Sequence, residues 1–173
     1  GITAPAVKQN VLYILANRYF KLNDIYEVRD QKVKYAKAVL TGASKQAAIE
    51  AAELEKDATL YRCHFEFPAS LSLYINDKQI DAIKDGMTYN SLQVQYESLV
   101  DMVPSLTEEE KQIYAWYKEA REFSMDAENS DKKHAAFNKY KGRINNYLTK
   151  RGYDLVKERN EWYKRLKAAG KKI

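Results

Sequence analysis

Three carboxylates, Glu119, Glu122 and Asp126, have the spacing that most invites chemistry. Steps of three and four residues place them on one face of a helix, beside a stripe that contains Trp116 and Phe123. Carboxylates held that close can raise one another's pKa and act as acid and base, or they can hold a cation. The plainer reading is a solvated acidic face served by Lys118 and Arg121. A second set, His134, Lys141 and Asn145, shares one edge of the following helix next to Phe137 and Ile144. At the border of an apolar stripe, this Lys and His are expected to be partly buried. If the two helices pair antiparallel, the acidic and basic edges meet, either as a binding site or as a salt-bridge network between helices. A third set lies in Asp85-Gly86-Met87-Thr88-Tyr89. There a carboxylate, a hydroxyl and an aromatic ring suit a polyol ligand, because rings stack on sugar faces while polar groups take up hydroxyls. Read locally, the same segment is a helix-ending turn.

Other chemistries lack their residues. The sequence has no Gly-rich phosphate loop and no nucleophile elbow. A di-metal carboxylate bundle wants Glu-x-x-His, but Tyr61 precedes His64 at that offset and Asp131 precedes His134. The single cysteine, Cys63, excludes an internal disulfide and any zinc site built on several thiolates. No cofactor or metal is expected. The C-terminal basics Lys157, Arg159, Lys164, Arg165 and Lys167 surround Trp162, as a nucleic-acid surface would. Glu158 and Glu161 interrupt them and no helix-turn-helix pattern stands out, so a solvated helix face is expected and no nucleic-acid partner.

The elements that must position these groups read as helices throughout. Six Gly and three Pro are few enough to argue against a loop-rich or all-β fold. Pro5 suits a first turn, after which Val7, Val11, Ile14, Leu22, Ile25, Val33 and Leu40 recur at helical steps. Arg18 and Arg29 fall on the same line. Thr41-Gly42 closes this helix and Ser44 is the expected cap of the next. Ala47, Ala51, Leu54, Ala58, Tyr61 and Phe65 then alternate steps of four and three, a coiled-coil-like seam that predicts a long antiparallel hairpin. Pro68 predicts a kink or break. A short helix follows Asn76 or Asp77 and ends at Asp85-Gly86, and another runs from Leu92 to Val103. Thr107 and Glu110 read as a capping box, with Ile113, Trp116, Ala120, Phe123 and Ala127 as the stripe behind it. Asn129 or Ser130 starts a helix carrying Phe137, Tyr140, Ile144 and Tyr147, closed by Arg151-Gly152. Asp154 caps the last. The fold class is all-α: a helical bundle with a long N-terminal antiparallel hairpin and shorter helices packed on it, read as a single domain over 1–173.

No run of apolar residues is long enough to span a membrane. The net charge of +5 is uneven: residues 131–173 hold 14 Lys and Arg against 4 Asp and Glu, and the remainder is net acidic. Such asymmetry suits an anionic partner, or two regions that attract each other on folding, which is the preferred reading. The 14 Tyr suit half-buried helix faces and sugar- or partner-binding surfaces alike.

Three stretches carry a family resemblance: Ile83-Lys84-Asp85-Gly86-Met87-Thr88-Tyr89, then Pro104-Ser105-Leu106-Thr107-Glu108-Glu109-Glu110-Lys111, then Lys133-His134 and Phe137 through Leu148. With Glu119-Ala120-Arg121-Glu122 and Met125-Asp126-Ala127, they resemble a domain-of-unknown-function family of helical proteins exported by polysaccharide-degrading Gram-negative bacteria and loosely described as sugar-binding. Asn90 and Asn138 depart from the family, standing where Gly is expected. The resemblance implies no catalytic role. It implies export to the periplasm or the exterior, which a chain beginning at Gly1 after loss of a signal peptide would fit. Together with the abundant Tyr and the missing catalytic signatures, it leads to the expectation of an oligo- or polysaccharide ligand gathered by Asp85, Thr88, Tyr89, Glu119, Glu122, Asp126, His134, Lys141, Arg143 and Asn145. The alternatives are a glycan-acting enzyme that uses the paired carboxylates and a structural module with a protein partner.

Overall fold

The computed structural model describes residues 1–107 and 109–171, with Glu109 and Glu110 described by their backbone alone. Among these residues there are seven helices and no strand: α1 Pro5–Val39, α2 Gly42–Ser72, α3 Asp77–Met87, α4 Ser91–Met102, α5 Glu109–Met125, α6 Ser130–Lys150 and α7 Leu155–Ala168. The all-α expectation holds. Contacts group the chain into two units, Gly1–Ala82 and Ile83–Ile173.

The first unit is the antiparallel pair α1 and α2. Pro5 opens α1, and Gly42, at φ +53°, takes the left-handed turn between the two helices. The arginines on the predicted α1 stripe are part of the hairpin interface. Arg18 is buried, donates from Nη1 to the Cys63 carbonyl at 3.2 Å and lies over the Phe67 ring. Arg29 bridges Asp30 and Glu53 at 2.7 and 3.2 Å.

Two expectations for α2 are corrected, and of the kink or break expected at Pro68 the break does not occur. The buried face is Ala52, Leu60, Cys63, Phe67 and Leu71, whereas Ala47, Ala51, Leu54, Ala58, Tyr61 and Phe65 are all exposed. Two apolar stripes run along this helix, and the sequence pattern favoured the more regular one, not the one that meets α1. Pro68 does not break the helix, which continues to Ser72. Its ring removes only one backbone bond near the helix end, and fully buried Leu71 anchors the following turn. The helix also starts at Gly42, which puts Ser44 in its first turn, not at its cap.

The second unit closes around Leu92, Leu99, Val103, Ile113, Trp116, Tyr117, Ala120, Phe137, Tyr140, Ile144 and Leu148. Helix α5 packs on α4 and α6, and α7 packs on α4 and α6. Several starts follow the predicted chemistry. The Asn76 side chain accepts from Gln79 N while Gln79 accepts from Asn76 N, a reciprocal cap for α3. Asn129 accepts from Lys132 N, and Asp154 from Val156 N and Lys157 N. Gly152 takes φ +93° beyond α6. The predicted box at Thr107 and Glu110 lies in part outside the described residues. Phe123 is a further correction: on α5 it is 65% exposed, not part of the buried stripe.

Candidate functional site

Helix α3 ends in a Schellman motif, in which two backbone N–H groups beyond the helix return to its last carbonyls. Asn90 N donates to Asp85 O at 2.8 Å and Tyr89 N to Gly86 O at 3.3 Å. The motif requires a left-handed residue just past the helix, normally Gly. Here that residue is Tyr89, at φ +59°, and Asn90 follows at φ +53°. Asn tolerates this region; an aromatic residue rarely enters it. Thr88 is buried and its hydroxyl turns back to the carbonyls of Lys84 and Asp85, so it serves the turn.

The Tyr89 ring is 53% exposed yet held on several sides. Its hydroxyl meets Ser130 Oγ at 2.7 Å. The ring stacks on His134, with centroids 5.6 Å apart and planes 17° apart. Lys133 Nζ lies 5.7 Å from the ring centroid and donates to the Met87 carbonyl at 2.9 Å. A cation at that carbonyl complements the negative end of α3. Burial holds the Lys133 ammonium below its usual range, opposed in part by the neighbouring Tyr89.

A charged network lies between α3 and α5. Arg121, 3% exposed, donates from Nη1 to Asp85 Oδ1 at 2.8 Å and from Nη2 to Glu122 Oε1 at 3.1 Å. Lys84 Nζ meets Glu122 Oε2 at 2.9 Å. Burial alone would raise the Glu122 pKa; Lys84 and Arg121 outweigh it and hold the carboxyl below its ordinary value. Glu122 is therefore poised as a carboxylate, the opposite of a general acid.

Glu119 lies further along α5 and meets Arg143 of α6 at 3.3 Å, both well exposed, and the Arg143 guanidinium sits 4.6 Å from the Trp116 ring centroid. Burial, then Glu119, push the Tyr140 hydroxyl up. Exposed Phe123 leans on Tyr140 at 6.0 Å.

Of the predicted site residues, Asp85 and Glu122 come together through Arg121, Tyr89 and His134 come together by stacking, and Glu119 and Arg143 form a third contact. Glu119 thus meets α6 at Arg143, which lies outside the His134, Lys141 and Asn145 edge, while Glu122 turns to α3. Half-buried Asp126 follows the end of α5, its N–H bonded to the Phe123 carbonyl. Lys141 is exposed and Asn145 half-buried, and these contacts draw neither into the groups above. Sequence reasoning missed Lys84, Arg121, Lys133 and Ser130. Arg121 was visible as a charge beside Ala120, but nothing local marks which of several charged residues on α5 turns inward.

Among the described residues no group of three or more His, Cys, Asp and Glu could hold a metal ion, and no helix is long and apolar enough to cross a membrane. The basic cluster on α7, expected as a solvated helix face, has structural work: Trp162 Nε1 donates to Asp101 at 2.6 Å and Arg165 donates to the Asp101 carbonyl at 2.7 Å. A groove of about 260 Å³ on the hairpin is lined by Ile25, Val28, Ala52 and Lys56 among others, and by none of the predicted site residues.

No curated protein matches the chain. A family model matches residues 1–168, and the chain belongs to that family, described as a protein of unknown function (DUF3826).

Proposed function

We propose that this chain is a non-catalytic, exported carbohydrate-binding protein whose binding surface centres on Tyr89. One observation carries the reading. An exposed aromatic ring occupies the backbone position where glycine costs least, and Ser130, His134 and Lys133 fix its orientation. Backbone strain persists where the surroundings enforce it, and it gathers at binding sites. A rigid, half-exposed ring is the feature a sugar face stacks on, and hydrogen-bonding groups beside it supply selectivity. Asp85 and Glu122, paired with Arg121 and Lys84, are acceptors for hydroxyls; Phe123 adds a second exposed ring on α5. Export rests on the resemblance to proteins of polysaccharide-degrading bacteria.

The glycan-acting enzyme reading fares less well. It needs one carboxyl raised to donate a proton. Glu122 is displaced the other way, and Glu119 spends its carboxylate on Arg143.

The test is a thermal-melt screen against neutral and acidic oligosaccharides, since a ligand that binds only the folded form raises Tm by mass action. At least one glycan class should raise the Tm of the parent protein. Tyr89→Gly should abolish that shift while leaving the unliganded stability within about 1 kcal/mol, because relief of the left-handed strain offsets the lost ring contacts. A panel with no responding glycan, or a shift that survives Tyr89→Gly, would refute the proposal.

A further inference from the structure

Helix α2 has a second apolar face, and α1 does not cover it. Ala47, Ala51, Leu54, Ala58, Tyr61 and Phe65 follow one another at steps of four, three, four, three and four, with no polar residue in the line. At 100° per residue this line lies roughly opposite Ala52, Leu60, Cys63 and Phe67, the face turned to α1. Leu54, Tyr61 and Phe65 are 69%, 70% and 59% exposed. On α1 the exposed Tyr13, Phe20 and Tyr35 are interrupted on their own line by Asn17, Asp24 and Gln31. The α2 stripe is continuous over nearly three heptads. An exposed apolar patch of this regularity marks an interface.

We infer that the outer face of α2 pairs antiparallel with α2 of a second copy of this chain. The flanking charges select this occupant. In heptad terms Ala51, Ala58 and Phe65 take position a, while Ala47, Leu54 and Tyr61 take position d. An antiparallel pair sets a against d. One such register places Ala58 against Tyr61 of the second copy and Leu54 against its Phe65. The small alanines then receive the large tyrosine rings across the central layers. Antiparallel pairing also faces e positions with e, and g positions with g. In this register Glu55 faces Arg62 of the second copy and Asp57 faces His64, each pair occurring twice about the two-fold axis. Sliding one helix by a heptad sets Glu55 against Glu55 and Asp57 against Asp57 instead, so charge fixes the register. The pairing is self-complementary, as a two-fold interface must be. Glu55 also meets Lys32 of its own chain, so in the dimer its carboxylate is shared between Lys32 and Arg62 of the second copy.

The experiment is multi-angle light scattering and sedimentation velocity on the whole chain over a range of concentrations, with circular dichroism to confirm that each variant is folded. The parent should be dimeric at high concentration. Tyr61→Glu, on a residue that makes no buried contact with α1, should give a folded monomer. Arg62→Glu should weaken the dimer at least tenfold at low salt, and Glu55→Arg combined with Arg62→Glu should restore it, since the swap regenerates both e–e pairs. A monomeric parent at every concentration would overturn the inference. So would a dimer indifferent to Tyr61→Glu, which would place the interface elsewhere, and so would failure of the double reversal to restore what Arg62→Glu removes.

Discussion

Arg121 shows how little of a residue's role its neighbours in sequence reveal. It sits among Lys118, Glu119 and Glu122 on α5, and the pattern reads as a solvated charged face. In the fold it is the most buried of these charges and its planar fork serves two carboxylates on different helices. Removing it would leave Asp85 and Glu122 facing each other without their shared cation. Fully buried pairs broken this way lose about 3–5 kcal/mol. Both carboxylates keep some contact with water, so Arg121→Leu is expected to cost about 2–4 kcal/mol by urea unfolding, since solvent screens part of what is lost. Arg121→Lys should recover only part of this, because an ammonium point charge cannot hold both carboxylates in the fork geometry. A loss within about 0.5 kcal/mol for Arg121→Leu would mean that the network is a surface feature after all. Tyr89 teaches the complementary lesson. Its ring was a visible candidate, but its left-handed backbone was not, because only the closing bonds of the turn impose it.

At the scale of the element, existence and most caps were readable, and so was the buried face of α6, whereas that of α2 was not. Asn76, Asn129 and Asp154 cap helices as their side chains predict, since capping is a local exchange between a side-chain oxygen and a free N–H group. Which face a helix buries depends on its partner, and α2 offers two apolar faces. Periodicity cannot rank them when both are regular. The stripe of α6 is buried as its spacing predicts, and that of α5 fails at Phe123. Phe123 and Phe137 each fit the stripe of their helix, yet one is mostly exposed and the other nearly inaccessible. Phe137→Ala is expected to cost about 3–5 kcal/mol, the range for a large core residue that leaves a cavity. Phe123→Ala is expected to stay below about 1 kcal/mol, because it removes only a partial contact with Tyr140. Denaturant midpoints of the two variants, at unchanged m-value, decide the matter. Comparable losses would show that α5 buries the face its sequence pattern proposed. Pro68 belongs to the same scale: its ring forbids one bond, and α2 continues because packing at Leu71 outweighs that loss.

At the scale of the whole molecule, charge organises the second unit. Residues 83–130 carry 10 acids against 4 bases, while residues 131–173 are strongly basic. The two parts meet at Glu119–Arg143 and at the bonds from Trp162 and Arg165 of α7 to Asp101. This arrangement makes stability depend on pH, and the sign follows from Glu122. Its folded carboxyl titrates below the ordinary value of 4.5, so between those two pH values the unfolded chain binds more protons than the folded one. The stabilisation it provides is therefore complete above the unfolded pKa and is lost as pH falls through the folded one. Glu53, lowered by its hydrogen bond to Lys56 against the cost of burial, acts in the same direction in the hairpin. Glu122→Gln should accordingly be less stable than the parent at about pH 7, and the gap should narrow as pH is lowered past 4.5 and through the lower titration of the folded carboxyl. Trp116 and Trp162 both lie in the second unit, so tryptophan fluorescence reports unfolding where Glu122 resides. A gap that stays constant across this range would mean that the glutamine acts through packing and that the ion pairs of Glu122 contribute nothing to the acid limb.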